Sequence, residues 1–123
     1  MMNIHESAED YLEAILMLKK EKGYSRSVDI ATMLNVTKPS VSFAMKRLRE
    51  NGYILMDEES LISLTEKGEE IARRILDRHE TLTRFLVKLG VDADTAREDA
   101  CKIEHDISDA TYAAIKGQLG DAE

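Results

Sequence analysis

Three residues near the C-terminal end have side chain types that bind transition metals, and their spacing would let them bind one ion together. Cys101, Glu104 and His105 stand at positions i, i+3 and i+4, so a helix would present them on one face, beside the apolar stripe of the same segment. Asp10 and Glu13 form a second pair, three residues apart near the N-terminus. The two groups together offer thiolate, imidazole and carboxylate donors, and this chemistry indicates a divalent cation site.

His79 is the sixth candidate ligand. It falls between Ile75 and Leu82 in the apolar register of a long helical segment, where an imidazole needs a partner. Each candidate also has a purely structural interpretation. A histidine in that register is often satisfied within the core, and acids such as Asp10 and Glu13 are favoured near a helix N-terminus by the helix dipole. Carboxylates with imidazole suit Mn²⁺ or Fe²⁺, while the thiolate favours softer ions such as iron, cobalt, nickel or zinc.

A second kind of chemistry is indicated between residues 37 and 47. Thr37 is a predicted N-cap, and Pro39 is tolerated in the first helical turn because its missing N–H has no partner there. Once the apolar positions of this helix are buried, its opposite face carries basic, hydroxyl and aromatic side chains. The predicted DNA-binding residues are Thr37, Lys38, Pro39, Ser40, Ser42, Phe43, Lys46 and Arg47.

The elements that must position these residues follow from periodicity and turn signals. The pattern predicts a first helix ending at Gly23, a short helix capped by Ser27, a tight turn at Asn35 and the helix that follows Thr37. Two short β-prone runs, 53–56 and 61–64, flank an acidic turn and predict a hairpin.

Three more helices are predicted after the hairpin: a long one capped by Thr65, one opened by Asp92 and extending through Ile107, and a last one capped by Ser108. The predicted fold is mainly α with a small β-hairpin. An N-terminal winged helix-turn-helix, residues 1–64, is expected to precede a C-terminal helical domain, residues 65–123.

The overall charge first argues against a nucleic-acid partner, because the 123 residues carry a net charge of −7. The charge is uneven, however. Residues 1–51 hold eight bases and seven acids, and the stretch 30–49 contains four bases and no acid. A phosphate backbone responds to the local surface, so the acidic average is weak evidence against DNA binding. The acidic hairpin turn at 57–59 is unsuited to phosphate and is expected to stay off the DNA backbone.

Composition excludes several other classes. No apolar run is long enough to span a membrane, and no charged-then-apolar leader is visible, so a cytoplasmic protein is expected. The single cysteine excludes a disulfide framework. We find no nucleophile elbow, phosphate loop or zinc-protease motif, so a metal-dependent hydrolase is a weaker alternative. A winged-helix regulator that needs no metal, and an interaction module that has lost DNA binding, also stay open.

Five segments resemble the diphtheria-toxin-repressor family of metal-dependent transcriptional regulators. They are SAEDYLE (7–13), TKPSVS (37–42), LTEKG (64–68), RH (78–79) and CKIEHDISD (101–109). The resemblance runs in order over residues 6–119. It implies a homodimer with an N-terminal winged helix and a C-terminal dimerisation domain, activated by Fe²⁺ or Mn²⁺ and acting as a repressor at palindromic operators of metal-uptake genes.

By position, the resemblance implies that the metal ligands are Asp10, Glu13, His79, Cys101, Glu104 and His105. It also implies that Lys38, Pro39, Ser40 and Phe43 face the operator. Asp10 is typical of manganese-type members, whereas Cys101 is typical of iron-type members, so the ligand set is a hybrid. We expect Fe²⁺ to be slightly favoured over Mn²⁺.

Other departures limit what the resemblance implies. Iron-type members use a second metal site with a glutamate where this chain has Thr83 and a histidine where it has Arg97. That second site is therefore expected to be absent or altered. The chain also shows no counterpart of the third, SH3-like domain of the longer members.

Overall fold

The computed structural model describes the backbone of residues 4–119 and the side chains from residue 8 onward. The described chain forms six helices and one two-stranded antiparallel sheet. In chain order the elements are α1 (Ile4–Lys22), α2 (Ser27–Leu34), α3 (Lys38–Glu50), β1 (Ile54–Met56), β2 (Ile62–Leu64), α4 (Glu66–Lys88), α5 (Ala93–Ile103) and α6 (Asp109–Leu119). This composition confirms the predicted fold class.

The chain divides into two compact units within α4, so that residues 4–73 belong to unit 1 and residues 74–119 to unit 2. The predicted domain boundary at residues 64–65 lies nine residues earlier, just before α4 begins, and stays a prediction. Within residues 4–119, none of the helices combines the length and apolarity that a bilayer crossing needs.

Unit 1 is built on the apolar face of α1, against which α2, α3 and β2 pack. Leu12 and Ile15 of α1, Ile30 of α2, Val41 of α3 and Ile54 of β1 are each at most 1% exposed. Burial of such aliphatic side chains contributes roughly 1.5–3 kcal/mol each. This core holds α3 in place while its other face stays in solvent.

The turn between α2 and α3 is set by three local signals. Asn35 adopts the left-handed conformation, with φ 55° and ψ 50°, and ends α2. The Thr37 side chain then accepts a hydrogen bond from the Ser40 N–H at 3.2 Å, and Pro39 lies in the first turn of α3. These features confirm the predicted turn. The prediction that Ser27 caps α2 was wrong, because Arg26 occupies the cap position without a side-chain hydrogen bond and Ser27 is the first helical residue.

The hairpin pairs Ile54 with Leu64 and Met56 with Ile62, as the β-prone runs predicted. Asp57 organises the turn, since its Oδ1 accepts hydrogen bonds from the N–H groups of Glu59 and Leu61, both at 2.9 Å. The acidic residues of the turn are exposed.

The start of α4 is fastened to the rest of unit 1 by a close backbone approach. Thr65 caps the helix, as predicted, by accepting a hydrogen bond from the Gly68 N–H at 3.2 Å, and its hydroxyl donates to the Gly52 carbonyl at 2.7 Å. Gly68 lies against the carbonyl of Tyr53, where a Cβ atom would be only 2.1 Å from the oxygen. Only glycine fits this contact.

Unit 2 consists of the remainder of α4, α5 and α6, with Ile75, Leu82, Ala96 and Ala100 at most 1% exposed. Asp92 caps α5 by accepting from the Thr95 N–H at 3.1 Å. The cap of α6 is likewise as predicted.

The Ser108 Oγ atom accepts a hydrogen bond from the Thr111 N–H at 3.1 Å, which closes the first turn of α6. The predicted extension of α5 through Ile107 was wrong, because α5 ends at Ile103 and a turn occupies residues 104–106.

Candidate metal centre and nucleic-acid interface

The exposed face of α3 carries the predicted DNA-binding residues. The structure places all eight of them, from Thr37 to Arg47, in solvent, while Val41, Met45 and Leu48 on the opposite face are buried. The N-terminal turn of α3 presents Lys38 beside backbone N–H groups and the positive end of the helix dipole. This face has the charge and shape to enter a major groove.

Phe43 is an unusual surface residue in the middle of this face. It is 63% exposed, and the Arg47 guanidinium lies 5.7 Å from the centroid of its ring. Such a cation–π contact orders a long arginine side chain. An exposed phenyl ring beside an ordered guanidinium offers both an apolar contact for a thymine methyl and a charged donor for DNA.

Unit 1 also contributes two of the predicted metal ligands, on α1. Glu13 is 7% exposed, and Asp10 is partly buried one turn earlier. Tyr11 lies beside them, and its pKa is raised by burial and, to a smaller extent, by the negative charge of Asp10. A nearly buried carboxylate such as Glu13 needs compensating charge or hydrogen bonds.

Three more predicted ligands come together in unit 2. The Nδ1 atom of His79 lies 2.9 Å from Oε1 of Glu104, and Nε2 of His105 lies 3.3 Å from Oε2 of the same carboxylate. Glu104 is completely buried. Its Oε2 atom accepts no hydrogen bond from any residue in the part of the chain that the structure describes.

The sequence predicted that Cys101, Glu104 and His105 share one helical face beside the apolar stripe. The structure brings two of them together, because a ligand atom of Cys101 and one of Glu104 lie within 4.8 Å of each other. Cys101 is exposed on α5, whereas Glu104 is the C-cap residue and is completely buried. His105 lies beyond the helix in the turn. The helical spacing still holds for the Glu104 backbone, because its N–H bonds to the Ala100 carbonyl at 2.9 Å.

Arg78 is a residue whose role the reasoning from periodicity missed. It is 4% exposed, and its guanidinium donates to the carbonyl oxygens of Glu104 and Ile107 at 3.0 and 2.8 Å. These bonds explain why the chain turns after Ile103, since they satisfy carbonyls that a continuing helix would have used. The signal was present in the sequence: Arg78 stands at i+3 from Ile75 and four residues before Leu82, in the apolar stripe of α4.

Thr83 and Arg97, the two positions at which the resemblance implies a second metal site in iron-type members, contact other groups of this chain. The hydroxyl of Thr83 donates to the His79 carbonyl at 2.7 Å, and the guanidinium of Arg97 pairs with Asp94 within α5. The Thr83 hydroxyl is already bonded to a backbone carbonyl, and the Arg97 guanidinium is positively charged. Neither group is suited to bind a metal cation. That the second site is absent or altered stays a prediction.

The donors in unit 2 fit a divalent cation. A completely buried carboxylate oxygen without a hydrogen bond is costly unless a positive charge approaches it. Two imidazoles flank this carboxylate, and carboxylate with imidazole is a donor set that Mn²⁺ and Fe²⁺ accept.

Two family models match the chain. The model described as the iron-dependent repressor N-terminal DNA-binding domain matches residues 3–60. The model described as the iron-dependent repressor metal-binding and dimerisation domain matches residues 65–123. The first match includes the exposed face of α3, and the second includes the cluster of Arg78, His79 and Glu104.

Curated and solved relatives agree with these matches. An HTH-type transcriptional regulator of Methanocaldococcus jannaschii is 42% identical over 113 residues, which are 90% of this chain and 90% of the relative. The crystal structure of T. acidophilum IdeR superposes with a TM-score of 0.84 at 29% identity, covering 98% of this chain and 56% of IdeR. The structure of the manganese regulator SloR superposes with a TM-score of 0.81 at 30% identity, covering 91% of this chain and 53% of SloR. The chain thus spans about half the length of these solved relatives.

The matches account for both halves of the chain and agree with the resemblance that its motifs indicated. Members of this family are DNA-binding transcriptional repressors, not enzymes, and they depend on a divalent metal. The chain belongs to the iron-dependent repressor family, also called the diphtheria-toxin-repressor family, of metal-dependent transcriptional regulators.

Proposed function

We propose that this chain represses transcription as a homodimer that binds a palindromic operator when a divalent cation is present. The observation that carries the proposal is the buried Glu104 carboxylate, whose Oε2 accepts no hydrogen bond among residues 4–119 while His79 and His105 stand beside it. By this proposal the protein acts in the cytoplasm on double-stranded DNA, and the operators belong to metal-uptake genes.

The proposed ligands are Asp10 and Glu13 of unit 1 and His79, Cys101, Glu104 and His105 of unit 2. A bound divalent cation would supply positive charge to the buried Glu104 carboxylate. A dimer must set its two recognition helices about one DNA turn apart, roughly 34–36 Å, and the metal is proposed to favour a dimer with that spacing.

The metal dependence can be tested by fluorescence anisotropy on a duplex selected from a randomised pool. We expect operator affinity to rise on addition of Mn²⁺, or of Fe²⁺ under anaerobic conditions, and to fall when a chelator is added. Reciprocity requires operator DNA to tighten metal binding by the same factor. Equal affinity in metal and in chelator would contradict the proposal.

Glu104→Ala should remove the metal-dependent rise. Asp106→Ala is the matched control, because Asp106 is exposed in the same turn and should leave the rise unchanged. His79→Ala is expected to behave like Glu104→Ala, since its imidazole lies against the same carboxylate.

A regulator that needs no metal is the second candidate, and one observation favours it. All eight predicted DNA-binding residues lie exposed within unit 1, on a helix whose core and caps are complete among the described residues. If the chain binds DNA equally in chelator, with the same salt dependence, this candidate replaces the first.

We propose Fe²⁺ ahead of Mn²⁺ as the preferred ion. The softer thiolate of Cys101 favours iron, and affinity at mixed N, O and S sites rises from Mn²⁺ to Fe²⁺. SloR, which is 30% identical, is a manganese regulator, so the two ions need direct comparison. Cys101→Glu, which substitutes the residue of manganese-type members, should narrow the ratio of Fe²⁺ to Mn²⁺ affinity. An unchanged ratio would show that the thiolate does not set the preference.

The proposed contacts to DNA divide into two classes. Lys38, Lys46 and Arg47 are proposed to neutralise phosphates, so Lys46→Ala should weaken binding uniformly across sequences and reduce the salt slope by about one. Phe43 is proposed to contact a thymine methyl. Replacing single thymines by uracil should therefore lower wild-type affinity at one position of each half-site and have no effect there in Phe43→Ala.

A dimer is proposed from the dimerisation domain that the family model describes. Val87 and Leu89, at the end of α4 and just after it, are 44% and 65% exposed. Exposed aliphatic side chains of this size are candidates for burial between subunits. Sedimentation equilibrium should give twice the mass of the chain, and a monomer at micromolar concentration would contradict this part of the proposal.

A further inference from the structure

Arg78 is a buried cation on α4 whose guanidinium holds the segment that follows α5. Nη1 donates to the Glu104 carbonyl at 3.0 Å and to the Ile107 carbonyl at 2.8 Å. Nη2 donates to the carboxylate of Asp109, the first residue of α6. The guanidinium carbon lies 5.2 Å from the centroid of the Tyr112 ring. One side chain thus joins α4, the end of α5 and the start of α6.

The ion pair with Asp109 does not by itself account for this burial. The Asp109 side chain is 89% exposed, whereas that of Arg78 is 5% exposed. An exposed carboxylate is well solvated and contributes little through the pair. The bonds to the two carbonyls are the ones that require a guanidinium, because one charged donor satisfies the buried Glu104 carbonyl and the partly buried Ile107 carbonyl in the segment after α5.

Arg78 and His79 are neighbours on α4, and both contact Glu104. Arg78 holds the backbone of Glu104 through its carbonyl, while His79 lies 2.9 Å from its carboxylate. The same turn contains His105, whose side chain is 1% exposed and lies 3.3 Å from that carboxylate. Contacts from one turn of α4 therefore set the position of two proposed metal ligands, Glu104 and His105.

We propose that Arg78 is a positioning residue for metal binding. It fixes the turn at residues 104–107 so that the Glu104 carboxylate and the His105 imidazole are presented to a divalent cation in one geometry. The inference rests on the proposed function, in which Glu104 and His105 hold that cation. Lysine cannot replace this role, since a point charge on a flexible stem does not reproduce a planar fork that reaches several acceptors at once.

The test is the dissociation constant of Mn²⁺ for the full chain, measured by competition with a fluorescent chelator. We expect Arg78→Lys to raise this constant at least about tenfold, which is typical for loss of a residue that orients metal ligands. Arg73→Lys is the matched control, because Arg73 lies on the same helix with 63% of its side chain exposed, paired with Glu69. It should leave the constant within about twofold of wild type.

A merely structural role gives a different result. In that case the melting temperature of metal-free Arg78→Lys would fall, but the folded variant would bind Mn²⁺ with the wild-type constant, and this outcome overturns the proposal. Faster hydrogen exchange of the amides at 104–107 in the variant, together with the weaker Mn²⁺ binding, supports it.

A second variant decides the matter if circular dichroism shows that Arg78→Lys does not fold. Arg78→Gln, made together with Gly117→Ala on α6 where a Cβ atom meets nothing within 4 Å, keeps a planar N–H donor but loses the guanidinium fork. It should raise the Mn²⁺ dissociation constant about tenfold relative to Gly117→Ala alone, and an unchanged constant would overturn the proposal.

Glu104→Ala separates failure of this inference from failure of the proposed site. If Glu104→Ala leaves Mn²⁺ binding unchanged, the proposed site is wrong and the role of Arg78 falls with it. If Glu104→Ala removes Mn²⁺ binding while Arg78→Lys does not weaken it, only the role of Arg78 is wrong.

Discussion

The two units of the molecule treat their functional side chains in opposite ways. In unit 1, the candidate DNA-binding residues are exposed on one face of α3, above an apolar core. In unit 2, Arg78 and Glu104 are buried and bonded to neighbouring groups. Water solvates the charges of the first surface, so they cost little while DNA is absent. The buried charges of the second depend on partners, and the Glu104 carboxylate has one oxygen that accepts no hydrogen bond among residues 4–119. The exposed face of unit 1 can therefore contact a large, variable surface, whereas the buried cluster of unit 2 has room only for a small, charged partner.

The largest expected effect concerns the buried carboxylate of unit 2. Glu104→Gln removes the charge while nearly preserving the shape. The metal-free protein should become more stable, by about 1 kcal/mol, because a buried charge is lost. At a metal concentration 100 times the wild-type dissociation constant, wild type should gain about 2.7 kcal/mol from Mn²⁺ and the variant almost none.

Urea unfolding with and without Mn²⁺ measures both quantities for Glu104→Gln. Asp106→Asn, in the same exposed turn, is the control and should respond to Mn²⁺ as wild type does. If the Glu104→Gln variant gains the full stabilisation from Mn²⁺, the contrast between the two units does not depend on this carboxylate.

Next in size is a pair of glycine substitutions, one in each unit. A Cβ atom on Gly68 would lie 2.1 Å from the Tyr53 carbonyl oxygen in unit 1, whereas one on Gly117 of α6 would meet nothing within 4 Å. Gly68→Ala should destabilise the protein by about 2 kcal/mol through overpacking. Gly117→Ala should stabilise it by up to about 1 kcal/mol through helix propensity. Thermal unfolding would refute the close packing at Tyr53 if both variants shifted the melting temperature in the same direction.

A smaller effect is expected from the helix caps. Thr37 caps α3 in unit 1 and Ser108 caps α6 in unit 2, each through a hydrogen bond to a backbone N–H three residues later. Alanine at either position should cost about 1 kcal/mol. Thr37→Ala should also weaken DNA binding, since it frays the end of α3 that is proposed to enter the groove, whereas Ser108→Ala should not. If the two variants lowered the affinity of the metal-loaded protein for DNA equally, the prediction that only the α3 cap affects DNA binding would be contradicted.

The smallest effect is a pH dependence at Asp92. Its pKa is lowered from the ordinary value near 3.8, chiefly by the hydrogen bond from the Thr95 N–H. A carboxyl whose pKa is lower in the folded state stabilises the fold above its unfolded pKa, and that contribution is lost as pH falls through the folded value. The stability of wild type relative to Asp92→Asn, which keeps a capping oxygen but does not titrate, should therefore decline as the pH falls below about 4. A difference that is constant over this range would contradict the shift.

Much of unit 1 could be predicted because its signals are local. Asn35 in the left-handed conformation, the Thr37 cap and the hairpin turn at Asp57 each depend on residues within a few positions. The periodicity of Val41, Met45 and Leu48 also determined which face of α3 is buried. The cap of α2 is the exception, since Ser27 lies one residue inside the helix.

Unit 2 was predicted less completely because its decisive contacts join residues far apart in the chain. The spacing of Cys101, Glu104 and His105 identified candidate ligands, but it did not show that Glu104 is completely buried or that His105 lies beyond the end of α5. The bonds from Arg78 to carbonyls 26 and 29 residues later end α5 and turn Glu104 inward. Helical periodicity carries no information about such contacts.

The element order, the exposed basic face of α3 and the residue types capable of holding a cation follow from the amino-acid sequence, because propensity, capping and periodicity act over one or two turns of chain. The folded structure was needed to show that Glu104 is completely buried, that His79 lies against its carboxylate and that Arg78 bonds to its backbone carbonyl. Burial and charge pairing are properties of the packed unit, since the cost of a charge depends on the groups that surround it in space.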